Sequence, residues 1–333
     1  VVNAETRARG NCNFPHNSIM VQTTVGGSLG ETDDDLRWLV DYIQTKDPDG
    51  EGYYQAYTHI APDETIMEET DEEHFYQIGG ATIFDNNGVK ELQMLWGEID
   101  NHEGKMTRTG TCLAVYSLEG QPGNSTYLKR ISKNEEFNTD DVGYGSTIWK
   151  DEDGHIYLYV TENNRPLVAR TTTHDLTSEW EYYIRDLSGN FMWQKMYPTK
   201  EERTRSTIME NNYVCSMPQI FKKGDYYYMI GQAVSYGHSV YLYRGETPYG
   251  PFTDQKILFN VPYSVDKIGN QYYKNLLRVN LHLELAREGE LVFSTNTDAD
   301  TAGDNFDFPG SADFCRPYFY RIFNWESIYD EDD

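Results

Sequence analysis

Short apolar segments separated by turn residues recur along this chain. Four times, an apolar strand is followed by a turn of Gly, Asp, Asn, Glu or Lys residues and then by a second apolar or aromatic strand. This pattern predicts β-hairpins. The four copies cover residues 80–97, 145–160, 217–230 and 280–294, and a weaker fifth copy begins at 15–21, before Gly26-Gly27.

The repeated hairpins predict a β-propeller. Five units give a mean spacing of about 65 residues, which suits propeller blades with long insertions. Further strand-like runs at 166–170 and 239–244 bring the units towards the roughly four strands of a blade. We therefore expect an all-β fold, with a single five-bladed β-propeller domain over residues 1–333. A two-sheet sandwich with accidentally similar hairpins is the alternative.

Three segments depart from the strand pattern. Residues 33–44 place apolar side chains at helical spacing behind a run of acids, which predicts one short N-terminal helical insertion. The acidic run 62–73 is expected to form a solvated loop, and the tail 329–333 is expected to be frayed.

Composition and charge narrow the class of partner. The 27 Tyr, 14 Phe and 6 Trp can fill a core and favour strands. The chain has 28 Lys+Arg and 54 Asp+Glu, a net charge of −26, which repels nucleic acids and anionic membrane surfaces. No apolar run reaches the roughly 20 residues of a membrane span. We expect a monomer with neither of these partners.

The cysteines and histidines give no metal motif. The four cysteines are too widely spaced for a zinc site. They would permit two disulfides in three pairings, and free buried thiols are equally compatible. No cofactor is expected, and no ligand pattern supports a structural calcium ion. The start at Val1 lacks the plan of a signal peptide. We expect a secreted or periplasmic protein, which requires that its signal has already been removed.

Candidate functional residues lie where the predicted second strands end. In a propeller these ends, and the entries of the first strands, meet at the mouth of the central channel, where ligands collect. The strand exits carry Glu98 and Glu162, the predicted catalytic pair. The residues expected to bind substrate are Asp100, Asp141, Tyr144, Gln232, His238, Arg278, His282 and Asn296.

Two carboxyl groups in one pocket indicate glycoside hydrolysis. One protonates the leaving oxygen, and the other attacks the sugar or activates water. Which of Glu98 and Glu162 takes which role is left open by the sequence. Motifs for serine or cysteine nucleophiles, phosphate loops and dinucleotide binding are absent from the chain.

Several segments together resemble a known enzyme group. They are residues 144–149, 166–170 with 180–183, 247–252 (Thr-Pro-Tyr-Gly-Pro-Phe) and 291–297. Over about 76–323, closing with Cys315-Arg316-Pro317-Tyr318-Phe319, the chain resembles the five-bladed β-propeller glycosidases of the bacterial D-arabinanase-like group. In that group the matching strand ends in Phe-Gly-Asp-Thr, with the acid in the active site. Here the strand reads Trp96-Gly97-Glu98-Ile99, so the resemblance implies an active-site role for Glu98.

The leading hypothesis is a carbohydrate-active enzyme that hydrolyses glycosidic bonds in a polysaccharide or oligosaccharide. The D-arabinanase-like group carries an Asp before the preceding strand, where this chain has Gly79-Gly80. A non-catalytic glycan-binding propeller that has lost one acid is therefore an alternative. A second alternative is a polysaccharide lyase, in which Arg278 or Arg316 neutralises a uronate while Tyr144 or His282 abstracts the proton.

Overall fold

The computed structural model describes most of the chain between residues 74 and 332. The described ranges are 20–24, 38–42, 74–102, 105–120, 128–138, 141–209, 213–233, 237–261, 267–268, 271–272, 275–298 and 317–332.

The described residues form strands almost throughout. One short α-helix, α1 (Lys200–Arg205), and 3₁₀ helices at Leu283–Leu285 and Trp325–Asp332 accompany them. The strands are β1 (Met20–Thr24), β2 (Trp38–Tyr42), β3 (His74–Asn86), β4 (Val89–His102), β5 (Lys105–Ser117), β6 (Arg130–Asn138), β7 (Thr147–Lys150), β8 (Ile156–Glu162), β9 (Arg165–Thr171), β10 (Trp180–Arg185), β11 (Phe191–Gln194), β12 (Cys215–Lys223), β13 (Tyr226–Gln232), β14 (Ser239–Gly245), β15 (Thr253–Asn260), β16 (Lys267–Ile268), β17 (Gln271–Tyr272), β18 (Asn275–Leu281), β19 (Glu290–Asp298) and β20 (Tyr318–Phe323).

Four of the sheets are meanders in which neighbours in the chain are also hydrogen-bonded neighbours. Sheet 1 is β3-β4-β5-β6, sheet 2 is β7-β8-β9-β10-β11, sheet 3 is β12-β13-β14-β15, and sheet 4 is β18-β19-β20. This strand order is that of propeller blades. The all-β class is confirmed, and the repeated hairpins predicted from the sequence fall in these four sheets.

The blade count differs from the prediction. The described residues form four blade-like sheets, whereas five blades were predicted. Each of these sheets has three to five strands. The fifth unit, expected from residue 15, contributes strand β1, which pairs with β2 in a two-stranded sheet. Strand β2 occupies residues inside 33–44, so the helix predicted there is not confirmed. Trp38, Val40 and Tyr42 are good strand formers, and pairing with β1 outweighs a helical spacing of only four apolar residues.

Turn chemistry closes the hairpin of sheet 1. Asn87 and Gly88 connect β3 to β4, and both have positive φ, 54° and 91°. Positive φ at both central residues defines a type I′ turn, whose twist matches that of the flanking strands. The Asn-Gly dipeptide thus sets the register in which Asn86 faces Val89 and Ala81 faces Met94.

The first hairpin of three sheets contains an irregularity at the same place. The register shifts between Ile78 and Ala81 in β3, between Cys215 and Gln219 in β12, and between Leu277 and Asn280 in β18. The first residues of the partner strands beyond these bulges are Trp96, Gln232 and Asn296. A bulge redirects the side chains that follow it, so it controls what each hairpin presents at that end.

Buried aromatic residues fill one face of sheet 1. Trp96 and Cys112 face each other across β4 and β5 and are fully buried, and Tyr76, Met94 and Tyr116 pack with them. Cys112 is a free thiol. The four cysteines therefore do not form two disulfides. Cys12 and Cys315 lie outside the described residues.

The chain end packs on sheet 3 rather than fraying from residue 329. In the 3₁₀ helix Trp325–Asp332, the Trp325 ring lies 5.5 Å from Phe221 and 5.0 Å from Tyr228 between ring centroids. The guanidinium of Arg244 lies 4.5 Å from the centre of the Tyr329 ring. Aromatic and cation–π contacts thus hold this segment. The acidic loop predicted at 62–73 lies outside the described residues.

Contacts group the chain into two compact units. The first unit contains Pro15–Leu158 and Ala169–Glu181, and the second contains Val1–Phe14, Tyr159–Val168 and Tyr182–Asp333. The single domain predicted for residues 1–333 stays a prediction. Within the described part of the chain, no helix is long and apolar enough to cross a membrane.

Candidate active site

In the first unit, Glu98 lies on strand β4 where a buried face of the sheet becomes partly exposed to solvent. It lies on β4 opposite Tyr76, two residues after the fully buried Trp96, and is itself partly exposed. Side chains two apart on a strand share a face, so Glu98 is held by its strand beside the core. Asp100, two residues further, is also partly exposed.

The surroundings of Glu98 are apolar and negatively charged. The Tyr76 hydroxyl donates a hydrogen bond to Glu135 Oε1 at 3.1 Å. Burial, then the charges of Glu135 and Glu98, raise the pKa of Tyr76. Burial, then Glu98, raise the pKa of Cys112 to about 12. Both groups therefore stay neutral at physiological pH beside Glu98.

The residues before β7 place Asp141 and Tyr144 differently. Asp141 is exposed, whereas Tyr144 is 2% exposed and packs inside the first unit. Nearby, the guanidinium of Arg108 fits against Gly97 and Gly143, where any Cβ atom would overlap it. Arg108 donates to Thr111 Oγ1 at 2.5 Å. The two glycines thus make room for a cation that sequence reasoning did not select.

In the second unit, Glu162 ends strand β8 in an ion pair. Arg203 donates from Nε to Glu162 Oε2 at 3.1 Å and from Nη2 to Oε1 at 3.3 Å. The Arg203 side chain is 3% exposed and the Glu162 side chain 22%. Both carboxylate oxygens are therefore fixed by one guanidinium, in the two-bond geometry that arginine favours.

Helix α1 supplies Arg203. The helix is six residues long and begins with a capping box. The Glu202 N–H donates to the Thr199 hydroxyl at 3.2 Å, and the Thr199 N–H donates to the Glu202 carboxylate at 2.8 Å. The second bond lowers the pKa of Glu202. Such a short helix is marginal alone, so its cap and the buried Arg203 together keep it in place.

Gln232 and His238 make contacts with the backbone. The Gln232 amide donates to the carbonyl oxygens of Gly237 at 2.7 Å and Leu276 at 3.1 Å, and the residue is 4% exposed. His238 Nδ1 lies 3.1 Å from the Val261 carbonyl. Its bond to Leu276 places Gln232 beside strand β18. Asn296 lies on the neighbouring strand β19 and is partly exposed.

The structure corrects the alignment of these strand exits. Gln232 and Asn296 lie opposite the residue directly beyond the bulge of their hairpin, as Trp96 does in sheet 1. Glu98 lies two residues further along, in the register that Asp298 has in sheet 4. Aligning Glu98 with Gln232 and Asn296 was therefore wrong by two positions, because a bulge cannot be counted from the apolar pattern.

His282 lies just past strand β18 rather than inside it. Its Nε2 is 2.8 Å from Ser294 Oγ, its Nδ1 is 3.3 Å from Glu284 Oε1, and its ring centroid is 5.0 Å from that of Phe319. Ser294 is 3% exposed. Ser294 lies in the middle of β19, two residues before Asn296.

Arg278 is exposed and has φ of 44°, a left-handed conformation within the bulge of β18. That conformation is strained for a side chain of this type. Among the described residues, no group of three or more His, Cys, Asp or Glu side chains could hold a metal ion.

Sequence reasoning missed Arg203, Arg108 and Tyr76. One signal for the first was available, because Thr199-Lys200-Glu201-Glu202 reads as a capping box and predicts a helix start. The pairing of Arg203 with a residue 41 positions earlier had no local signature.

Comparisons with known proteins relate the chain to a family and to solved structures. The family DUF5005, described as a domain of unknown function, matches residues 1–325. A "putative hydrolase" from Bacteroides ovatus ATCC 8483 is 53% identical, with a TM-score of 0.83 over 100% of this chain and 82% of that chain. No curated protein matches the chain.

Distant similarities reach glycoside hydrolase structures. The GH43 BlXynB protein from Bacillus licheniformis is 13% identical, with a TM-score of 0.37 over 75% of this chain and 43% of that one. An exo-β-1,3-galactanase from Phanerochaete chrysosporium is 12% identical, with a TM-score of 0.39 over 74% and 46%. Similarity at this level does not establish a shared activity.

Proposed function

This chain belongs to the DUF5005 family, a domain of unknown function, and we propose that it is a glycoside hydrolase acting on a polysaccharide or oligosaccharide. The Bacteroides ovatus relative, described as a "putative hydrolase", supports the reaction class. The choice of glycosidic bonds as the target is argued from carboxylate chemistry. The resemblance to D-arabinanase-like enzymes stays a prediction.

The observation that carries the proposal is the fixed carboxylate of Glu162. It stands at the end of a strand, keeps 22% of its side chain exposed and is bound through both oxygens by a buried arginine. Hydrolysis of a glycosidic bond requires a carboxylate held in one orientation as base or nucleophile, and a second carboxyl as proton donor. Glu98 is the sequence prediction for this second group, and the two carboxylates belong to different compact units.

The first test is incubation with a panel of neutral and acidic polysaccharides, with products analysed by mass and ultraviolet absorbance. Saturated oligosaccharides are expected from the wild type. Glu98→Gln and Glu162→Asp should each reduce the rate by at least about 100-fold, because a displaced or missing catalytic group costs this much. Glu162→Asp keeps the charge that Arg203 requires.

A matched control is available in strand β10. Glu181 accepts from Arg170 at 2.7 Å and is 20% exposed, much like Glu162. Glu181→Asp should leave the rate unchanged. Full activity in both active-site variants would refute the assignment, saturable binding without product would indicate a glycan-binding propeller, and unsaturated products would indicate a lyase.

The proposal includes a secreted or periplasmic location and a polysaccharide as the principal partner. A polysaccharide does not cross membranes, so an enzyme that cleaves one meets it outside the cytoplasm. Detection of the native protein in extracellular or periplasmic fractions checks this part separately.

A further inference from the structure

Three features other than Glu162 restrain the Arg203 side chain. Its Nη1 donates to the Pro198 carbonyl at 3.0 Å, its guanidinium carbon lies 5.6 Å from the centre of the Tyr197 ring, and its backbone belongs to the capped helix α1. The guanidinium therefore has little freedom to follow a moving carboxylate. Glu162 instead takes the orientation that the arginine imposes.

From this geometry we propose that Arg203 is a positioning residue that fixes Glu162 as the proton-accepting or nucleophilic carboxylate, a role that rests on the proposed glycosidase function. Each Glu162 oxygen accepts an N–H of Arg203. A carboxyl that donates a proton would have to turn an O–H towards the substrate while breaking one of these bonds and leaving a buried cation partly uncompensated. The other carboxyl of the reaction is then the acid.

The position of Glu162 at the end of a strand explains why its side chain needs a restraint from elsewhere. Glu162 is the last residue of β8, and Asn163 and Asn164 follow it with φ of 55° and 60°. A strand end followed by two left-handed residues does not by itself restrain a long side chain. The guanidinium supplies that restraint from a separate element, 41 residues away in the chain.

The test compares Arg203→Gln and Arg203→Lys with a control on the same helix. Arg205→Gln removes a cation two residues away that pairs with Glu202 at 3.8 Å. Rates are measured on 4-nitrophenyl and 2,4-dinitrophenyl glycosides of the sugar released from the polysaccharide panel. These two leaving groups differ in their need for protonation, so they separate loss of the acid from loss of the base or nucleophile.

Arg203→Gln is expected to lower kcat by about 100-fold on both glycosides, with KM changed by less than about threefold, because the substrate does not contact a positioning residue. Arg203→Lys should recover part of that loss, since a single ammonium can hold one oxygen but not both. Arg205→Gln should leave kcat unchanged on both glycosides.

Two results would overturn the inference. One is an unchanged kcat in a folded Arg203→Gln protein, with folding checked by circular dichroism and thermal melting; if that variant does not fold, Arg203→Lys decides. The other is retention of activity on the dinitrophenyl glycoside alone, which would make Glu162 the acid. A wild type that cleaves no glycoside contradicts the proposed function itself, an outcome distinct from both.

Discussion

At the scale of single residues, the partner of Glu162 determines how the site responds to mutation. A buried arginine tolerates loss of its counter-charge poorly, because the remaining cation has neither water nor an anion around it. Charge neutralisation at Glu162 is therefore a change in stability as well as in chemistry.

Glu162→Gln should lower the free energy of unfolding by an amount near the low end of about 3–5 kcal/mol, since Glu162 keeps some exposure. Urea denaturation at pH 7 measures the loss. Glu326→Gln serves as a control, because Glu326 pairs with Lys223 at 3.9 Å with about half of each side chain exposed, and it should change stability by less than about 1 kcal/mol. Equal effects in the two variants would contradict the prediction.

Cys112 predicts an alkaline limb of the stability profile. Its pKa rises to about 12 through burial and the charge of Glu98. A group whose folded pKa is raised favours the folded state below its unfolded pKa near 9, and this contribution is lost as pH rises towards 12. Cys112→Ala should therefore flatten the fall of the melting temperature between pH 9 and 11. An unchanged slope would contradict this.

At the scale of elements, most of the hairpins could be predicted from local sequence signals, and one depended on tertiary contacts. The hairpins at 80–97, 145–160 and 217–230 could be predicted because Asn, Asp and Gly turns separate apolar runs. In the fourth, the apolar residues Leu283 and Leu285 suggested a strand where the chain forms a 3₁₀ helix. Three residues fit either structure, and only packing against the neighbouring strand distinguishes them.

The strand ends that selected the two carboxylates were predictable only in part. Glu162 does end β8, whereas β4 continues beyond Glu98 to His102, so Glu98 lies inside its strand. The ion pair with Arg203 and the burial of Tyr144 depend on residues brought together by folding, and no local pattern records them. The same holds for the bulges that shift Glu98 two places from Gln232 and Asn296.

Gly145 links the backbone before β7 to the core of the first unit. It has φ of 91°, and a Cβ atom there would overlap the Leu95 side chain. Gly154, in the following turn, has φ of 96° with open space around it. Gly145→Ala should destabilise the protein by about 1–3 kcal/mol more than Gly154→Ala, because only the first adds overpacking to backbone strain. Thermal melting of both variants measures this difference, and equal losses would show that strain alone operates.

At the scale of the whole molecule, the excess of acidic residues determines the electrostatic contribution to stability. A net charge of −26 places many like charges on one folded surface, and their repulsion opposes the compact state. Ion pairs such as Arg244 with Asp254, at 2.8 Å, offset a part of it locally. The balance between charge repulsion and ion pairing can be measured by adding salt, which screens both.

The melting temperature should rise as sodium chloride increases from low concentration and level off by about 0.5 M, where the Debye length falls to about 4 Å. Screening weakens the many repulsions more than the few close pairs. A series with equal concentrations of sucrose controls for effects that do not involve charge. A melting temperature that falls with salt would mean that attraction between charges predominates.

The docked chain end also gives the protein an optical reporter. Trp325 is 3% exposed, beside Phe221 and Tyr228. An indole in such dry surroundings emits at shorter wavelength than one in water, so release of this segment would shift its fluorescence to the red. The difference between the emission of the wild type and of Trp325→Phe isolates that signal from the other five tryptophans. Detachment of the terminal segment can thus be timed separately from the unfolding of the sheets.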